Sequence, residues 1–189
     1  MIRITSGKYR GRRIFTGNAL DARPAMSVIR EAIFNILRAY ISIEDALVCD
    51  LFCGSGSLSF EALSRGAKHA CLVDINAANL KLVRRTATSL GVEKLLSILC
   101  CDVQHLAYAE RQYNLTFVDP PYCRPELVEV TLKALRERVW CVDGGIVVLR
   151  IRKGEKQVAI PKEYTLMQTR VYGCSELMLL QVAGKQDRI

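Results

Sequence analysis

Leu47-Val48-Cys49-Asp50-Leu51-Phe52-Cys53-Gly54-Ser55-Gly56-Ser57-Leu58-Ser59 reads as strand, turn and helix in immediate succession. Leu47–Phe52 is a short apolar run with an acid inside it, the pattern of a buried strand. Gly54 and Gly56 let the backbone turn tightly and approach a ligand closely. Ser57–Ser64 then resumes with helical spacing and stops near Gly66. A dinucleotide fingerprint would place a third glycine at position 59, where Ser59 stands, and this argues against a dehydrogenase. The carboxylate of Asp50, just before the turn, suits an amino-acid ammonium or a bound water better than a pyrophosphate.

The same alternation continues downstream. Ala70–Val73, Leu95–Cys100, Leu115–Val118 and Gly145–Arg150 read as strands, and Ala77–Leu90 and Glu126–Val139 as helices, the first closed by Gly91. Tyr164–Tyr172 and Leu177–Val182 form a final antiparallel pair. Strands alternating with helices mean an α/β fold, a mostly parallel sheet with helices on both faces. Upstream, Val28, Ile29, Ala32, Ile33, Ile36 and Leu37 recur at helical spacing, with Ser27 as the expected N-cap. Residues 1–16 hold five basic residues and no acidic one; Ile2–Thr5 and Arg12–Thr16, flanking Gly7 and Gly11, predict a small β-hairpin. Asn18–Pro24 reads as a connection, so the chain divides into a basic extension, 1–22, and a main domain, 23–189.

Lys and Arg outnumber Asp and Glu by 27 to 19, a net charge of +8 that favours polyanion partners. No apolar run is long enough for a membrane span and no signal peptide is evident, so a cytoplasmic protein is expected. The eight cysteines form no C-x-x-C pair and accompany only two histidines. They read as reduced, buried thiols, and no metal site is expected.

Strand ends repeatedly carry an acid, where ligands bind in open α/β sheets. Asp74 is placed to accept hydrogen bonds from both ribose hydroxyls, and Asp102 from an adenine amino group. With Asp50, Phe52, Gly54, Ser55, Gly56, Ile75 and Val103 they form one candidate cofactor set. Asp119-Pro120-Pro121-Tyr122 ends the fourth strand and is the candidate catalytic segment. Its prolines stiffen the loop and remove two backbone donors, leaving carbonyls to face a substrate. Asp119 and the Pro120 carbonyl would accept the two hydrogens of an exocyclic base amine. That makes the nitrogen more pyramidal and more nucleophilic. Tyr122 offers a face on which an unpaired base stacks. A positively charged sulfonium is the matching electrophile.

These residues resemble class I methyltransferases of the amino-methylating type, and more closely the RsmD family. The resemblance is carried by Ile2-Arg3-Ile4-Thr5-Ser6-Gly7-Lys8-Tyr9-Arg10-Gly11-Arg12-Arg13, Arg23-Pro24, Arg30-Glu31-Ala32-Ile33-Phe34-Asn35-Ile36-Leu37, Asp50–Gly56, Glu61–Ala67 and Asp119–Tyr122. It runs from residue 2 to about 182. It implies a Rossmann-like fold with a seven-stranded sheet and S-adenosyl-L-methionine as cofactor. The implied reaction is methylation of a guanine N2 amine in 16S ribosomal RNA, of the guanine-966 type. The implied partner is the small ribosomal subunit or an assembly intermediate, and a monomer is expected. Arg3, Lys8, Arg10, Arg12, Arg13, Arg23 and Arg30 are then the candidate RNA contacts. Lys81, Arg84 and Arg85 make a second basic cluster that reads more simply as a solvated helix face.

The family usually has Ala at the position of Cys53, and two threonines and an acid where Ala25, Met26 and Ser27 stand. Three other readings compete, of which a protein glutamine methyltransferase would normally begin the segment with Asn instead of Asp119. An adenine-N6 DNA methyltransferase uses the same four-residue segment but normally carries a target-recognition domain, for which 189 residues leave no obvious room. A non-catalytic RNA-binding assembly factor would not need the acids and the Asp-Pro-Pro-Tyr segment intact.

Overall fold

The computed structural model describes residues 2–17, 24–154 and 158–184, apart from the side chains of residues 24–26. Its elements are β1 (Ile2–Arg3), β2 (Arg13–Ile14), α1 (Pro24–Leu37), β3 (Leu47–Leu51), α2 (Ser57–Ser64), β4 (His69–Asp74), α3 (Ala77–Leu90), β5 (Leu96–Cys100), β6 (Tyr113–Val118), α4 (Glu126–Glu137), β7 (Cys141–Arg152), β8 (Tyr164–Tyr172) and β9 (Ser175–Val182). The expected division at 22/23 and Arg23 lie outside the described residues. Among the described residues, no helix is long and apolar enough to cross a membrane.

Seven strands form one sheet in the order β5-β4-β3-β6-β7-β9-β8, and β1 and β2 form a separate antiparallel pair. The first five strands of the large sheet pair in parallel, while β9 runs antiparallel between β7 and β8. The chain leaves β3 through β4 to the β5 edge, then returns to lay β6 on the other side of β3. That reversal opens a crevice beyond the carboxyl ends of β3 and β6, the usual ligand position in such sheets.

Strand periodicity divides the core into two layers. In β3, Val48 packs with α1, α2, α3 and the hairpin residues Ile2, Ile4 and Ile14. Cys49 and Leu51 point the other way, to Val128, Leu132 and Leu135 of α4. Helices therefore cover both faces, three on one and α4 on the other.

Local details depart from the sequence expectations. α1 begins at Pro24, so Ser27 lies inside its first turn instead of capping it. Proline fits that opening position because its missing N–H is one the helix leaves unpaired there. The hairpin strands are two residues each, shorter than expected, because the N–H groups of Thr5, Ser6, Lys8 and Tyr9 are bonded to α2 and not across the hairpin. Cys49, Cys53, Cys71 and Cys141 are buried, but Cys100, Cys123 and Cys174 are exposed. Cys100 ends β5, an edge strand whose last two residues face solvent.

Candidate active site

The turn after β3 is held from the side by β4. The Gly54 N–H donates to Asp74 Oδ2 at 2.8 Å, and Cys53 N–H donates to the Val73 carbonyl at 3.0 Å. Phe52 adopts φ 62°, a left-handed conformation that costs a bulky residue roughly 1–2 kcal/mol. Gly56 closes the turn at φ 71°, where a β-carbon would stand 2.6 Å from Leu72 Cδ2. The left-handed backbone favours glycine at 56, and the close packing on the Leu72 side chain adds to that preference.

Asp74 has little freedom: Oδ1 accepts from Asn76 N at 2.7 Å, and Oδ2 also accepts from Asn79 Nδ2 at 3.3 Å. Asp102 caps a short helical turn by accepting from Gln104 N at 2.9 Å. Both carboxylates line a cavity of about 310 Å³ together with Phe52, Gly54, Ile75, Val103, Asp119 and Pro121. Its size is that of a pocket for a small organic ligand. Asn79, Cys101, Arg124 and Leu127 complete the wall and were not anticipated. The ribose-and-adenine pattern fits: two strand-end carboxylates, apolar Ile75 and Val103, and a glycine turn share one cavity.

Asp50, Ser55, Gly56, Pro120 and Tyr122 do not line it. Asp50 is buried beneath the turn, where Oδ2 accepts from the Ser59 hydroxyl at 2.8 Å and the Ser59 N–H at 3.3 Å. Burial, helped by the charges of Asp119 and Asp74, pushes its carboxyl up to about 7 against the lowering effect of the Ser59 hydroxyl and N–H. The residue that replaces the third glycine of a dinucleotide motif therefore solvates the acid of the turn.

Asp119 directly follows β6 and also lines a second, small cleft of about 30 Å³ with Ile29, Leu58, Val148 and Arg150. Its two oxygens accept from Arg150 Nε at 2.7 Å and Arg150 Nη2 at 2.6 Å. Burial raises the Asp119 carboxyl and Arg150 lowers it. Arg150 was not foreseen. Its signal was register: Val118 pairs with Leu149, so the next residue on each strand emerges side by side. Tyr122 donates to or accepts from the Ser175 hydroxyl at 2.7 Å, and the Arg150 guanidinium lies 5.6 Å from its ring centre.

The candidate RNA contacts separate into two groups. Arg30 is 3% exposed; it sits 3.4 Å from Glu61 and donates to the Arg3 carbonyl at 2.7 Å, so it faces the interior and not a phosphate. Arg3, Lys8, Arg10, Arg12 and Arg13 are exposed on the hairpin. The Lys8 N–H reaches the Ser64 carbonyl, and Arg12 reaches the Ser89 carbonyl. The turn therefore sits at the far ends of α2 and α3, about 20 Å along α3 from the cofactor-side edge. From there the chain climbs α3: Phe15 N–H donates to Thr86, and Gly17 lies against Leu82. Arg13 and Arg85 both stack on Phe15, at 5.6 and 4.1 Å, which merges the hairpin charges with those of α3.

Comparison with known proteins places this arrangement. The family described as Conserved hypothetical protein 95 matches residues 2–181. Ribosomal RNA small subunit methyltransferase D of Escherichia coli is 32% identical, over 98% of this chain and 93% of that protein. The solved structure of the Escherichia coli protein yhhF is 29% identical and superposes with a TM-score of 0.85, covering 97% of this chain and 99% of that one. Magnesium protoporphyrin IX methyltransferase of Synechocystis, solved with bound S-adenosylmethionine, shares the fold at 16% identity and a TM-score of 0.69, over 91% of this chain and 89% of that one. The chain belongs to this family, the RsmD family, and has the class I methyltransferase fold.

Proposed function

We propose that this protein transfers a methyl group from S-adenosylmethionine to the N2 amine of a guanine in 16S ribosomal RNA. Its substrate would be the small ribosomal subunit or an assembly intermediate in the cytoplasm. The observation that carries the reading is the position of Asp119, at the end of β6, where it borders both the large cavity and the small cleft. The family membership and the name of the Escherichia coli relative support the choice of polymer.

When bound, S-adenosylmethionine supplies a methyl group on a positively charged sulfur that leaves as a neutral thioether. The chain's own residues do the rest. Asp74 and Asp102 would accept from the ribose hydroxyls and the adenine amine. Asp119 and the Pro120 carbonyl take the hydrogens of the acceptor amine. The nitrogen gains the methyl carbon and sheds one proton, for which the Asp119 carboxylate is the nearby base. Holding amine and methyl in line removes much of the entropic part of the barrier. Residues 1–22 serve as an RNA-contacting extension of the catalytic domain, 23–189.

The test is transfer of labelled methyl groups into small subunits from a strain lacking this modification, followed by mass mapping of the modified nucleotide. A single guanine carrying the label at N2 is expected, at position 966 if the family type holds. Label on adenine, or no label with intact subunits and free 16S RNA, overturns the reading.

A further inference from the structure

We propose that Arg150 is a positioning residue for methyl transfer, whose guanidinium clamps both carboxylate oxygens of Asp119 and fixes the plane in which the acceptor amine is received. The inference rests on the assignment of Asp119 as the group that accepts the amine. It goes beyond that assignment in naming what holds Asp119.

Three features point to it. The contact is a two-pronged one, Nε to Oδ1 at 2.7 Å and Nη2 to Oδ2 at 2.6 Å. A fork on a carboxylate fixes rotation about the Cβ–Cγ bond as well as position, which a single bond does not. Each oxygen keeps a further lone pair, so the clamp leaves acceptor capacity for an N–H from the substrate. The clamp is itself braced. Arg150 extends from β7 beside β6, with the register set by Val118 against Leu149. Its guanidinium lies 5.6 Å from the centre of the Tyr122 ring, and the Tyr122 hydroxyl is tied to Ser175 on β9 at 2.7 Å. Ser175 is buried, so the far end of this chain is anchored in the sheet. The two residues of the candidate catalytic segment that carry functional side chains, Asp119 and Tyr122, therefore share one guanidinium.

The charged groups around Asp119 define what Arg150 does electrostatically. Asp50 approaches from β3 and Arg30 lines the small cleft from α1. Asp74, Asp102 and Arg124 line the large cavity. Burial opposes ionisation of Asp119 and Arg150 favours it. Without Arg150 the Asp119 carboxyl titrates at a higher pH and is a poor acceptor until the pH rises past that point.

The experiment compares wild type, Arg150→Lys and Arg150→Met in two measurements. The first is kcat for methyl transfer to small subunits across roughly pH 5.5–9.5 at saturating S-adenosylmethionine. The second is titration of the Asp119 carboxyl by carbon NMR, assigned with Asp119→Asn. For Arg150→Met the expectation is a kcat at least ~10-fold lower at neutral pH, an acid limb displaced upward, and partial recovery in alkali. Arg150→Lys, which keeps the charge but not the fork, should hold the acid limb near its wild-type position at a reduced rate. An Arg150→Met enzyme with wild-type kcat overturns the proposal. So does a loss that is uniform across pH with an unmoved Asp119 titration, because that marks a merely structural role. The NMR arm keeps the test independent of the substrate. If wild type methylates nothing in the subunit but the Asp119 titration moves as expected, the substrate reading fails and the clamp stands. An Asp119 titration that is the same with and without Arg150 refutes the clamp whatever the substrate.

Discussion

Thr5 donates both its backbone N–H, at 2.9 Å, and its hydroxyl, at 2.7 Å, to the carboxylate of Glu61 in α2. Ser6 N–H adds a third bond at 3.0 Å, and Arg30 and Arg65 stand 3.4 and 2.9 Å from the same carboxylate. Glu61 is fully buried, so this one side chain joins the hairpin, α1 and α2. Removing it leaves the buried Arg30 charge uncompensated. Glu61→Ala should therefore lower the unfolding free energy by roughly 3–5 kcal/mol. Urea unfolding would show it as a lower midpoint, and hydrogen exchange as early loss of protection at Thr5 and Ser6. An unchanged midpoint would remove Glu61 from this role. Glu61→Gln, which keeps the shape and loses the charge, should fall between the two.

The pH dependence of stability should carry the signature of Asp50. Burial lifts its carboxyl from the ordinary 3.8 to about 7. Between those two values the folded state binds a proton that the unfolded chain has lost. Stability from this group is thus fully present below pH ~4 and is lost as pH rises through about 7. The difference between wild type and Asp50→Asn in urea unfolding isolates it. The wild type should lose stability relative to the variant between about pH 4 and about pH 7; parallel curves would place Asp50 in the ordinary carboxylate range.

The alternation of strands and helices and the strand-end acids were legible because they depend on local pattern: apolar runs of strand length, glycine turns, helical spacing. The antiparallel pair at the chain's end was legible for the same reason. Three things were not. The Asp119–Arg150 clamp joins residues 31 positions apart through strand register, which no local pattern states. The role of Arg30 depends on its partner Glu61 being buried beside it; its charge alone suggested a surface. The hairpin's placement is fixed by backbone contact, since a β-carbon on Gly7 would stand 1.8 Å from the Ser64 carbonyl oxygen. Only that close docking shows that the basic turn lies at the far ends of α2 and α3.

The clamp also changes how Asp119 should be tested. Asp119→Ala would remove the carboxylate that balances the largely buried Arg150 guanidinium, a loss of up to roughly 3–5 kcal/mol that confuses catalysis with stability. Asp119→Asn keeps the shape and one acceptor oxygen. Transfer should fall at least ~100-fold in the Asn variant, with cofactor affinity by calorimetry within a few-fold of wild type. Asp74→Ala should do the reverse. It frees Gly54 N–H and Asn79 from their shared acceptor and so loosens the turn, and cofactor affinity should drop while RNA affinity holds. Near-normal turnover in Asp119→Asn would refute the role given to that carboxylate.

RNA binding should depend on both basic clusters, because Phe15 holds Arg13 and Arg85 on one surface. The hairpin turn stands about 20 Å along α3 from the catalytic edge, so its phosphates cannot be those of the target nucleotide. They belong to backbone several residues away, which fixes register without reading the base. Replacing Arg10, Arg12 and Arg13 by Ala should weaken binding to small-subunit RNA. It should also flatten the plot of log K against log salt by ~0.7 for each phosphate that is no longer neutralised. Replacing Lys81 and Arg84, which are exposed on the neighbouring helix, should flatten it further by a similar amount for each phosphate. Neither change should alter cofactor affinity, since both sets lie off the large cavity. A salt slope unaffected by the α3 pair would confine the RNA surface to the hairpin. If the hairpin triple variant also left the slope unchanged, the RNA would approach from another face.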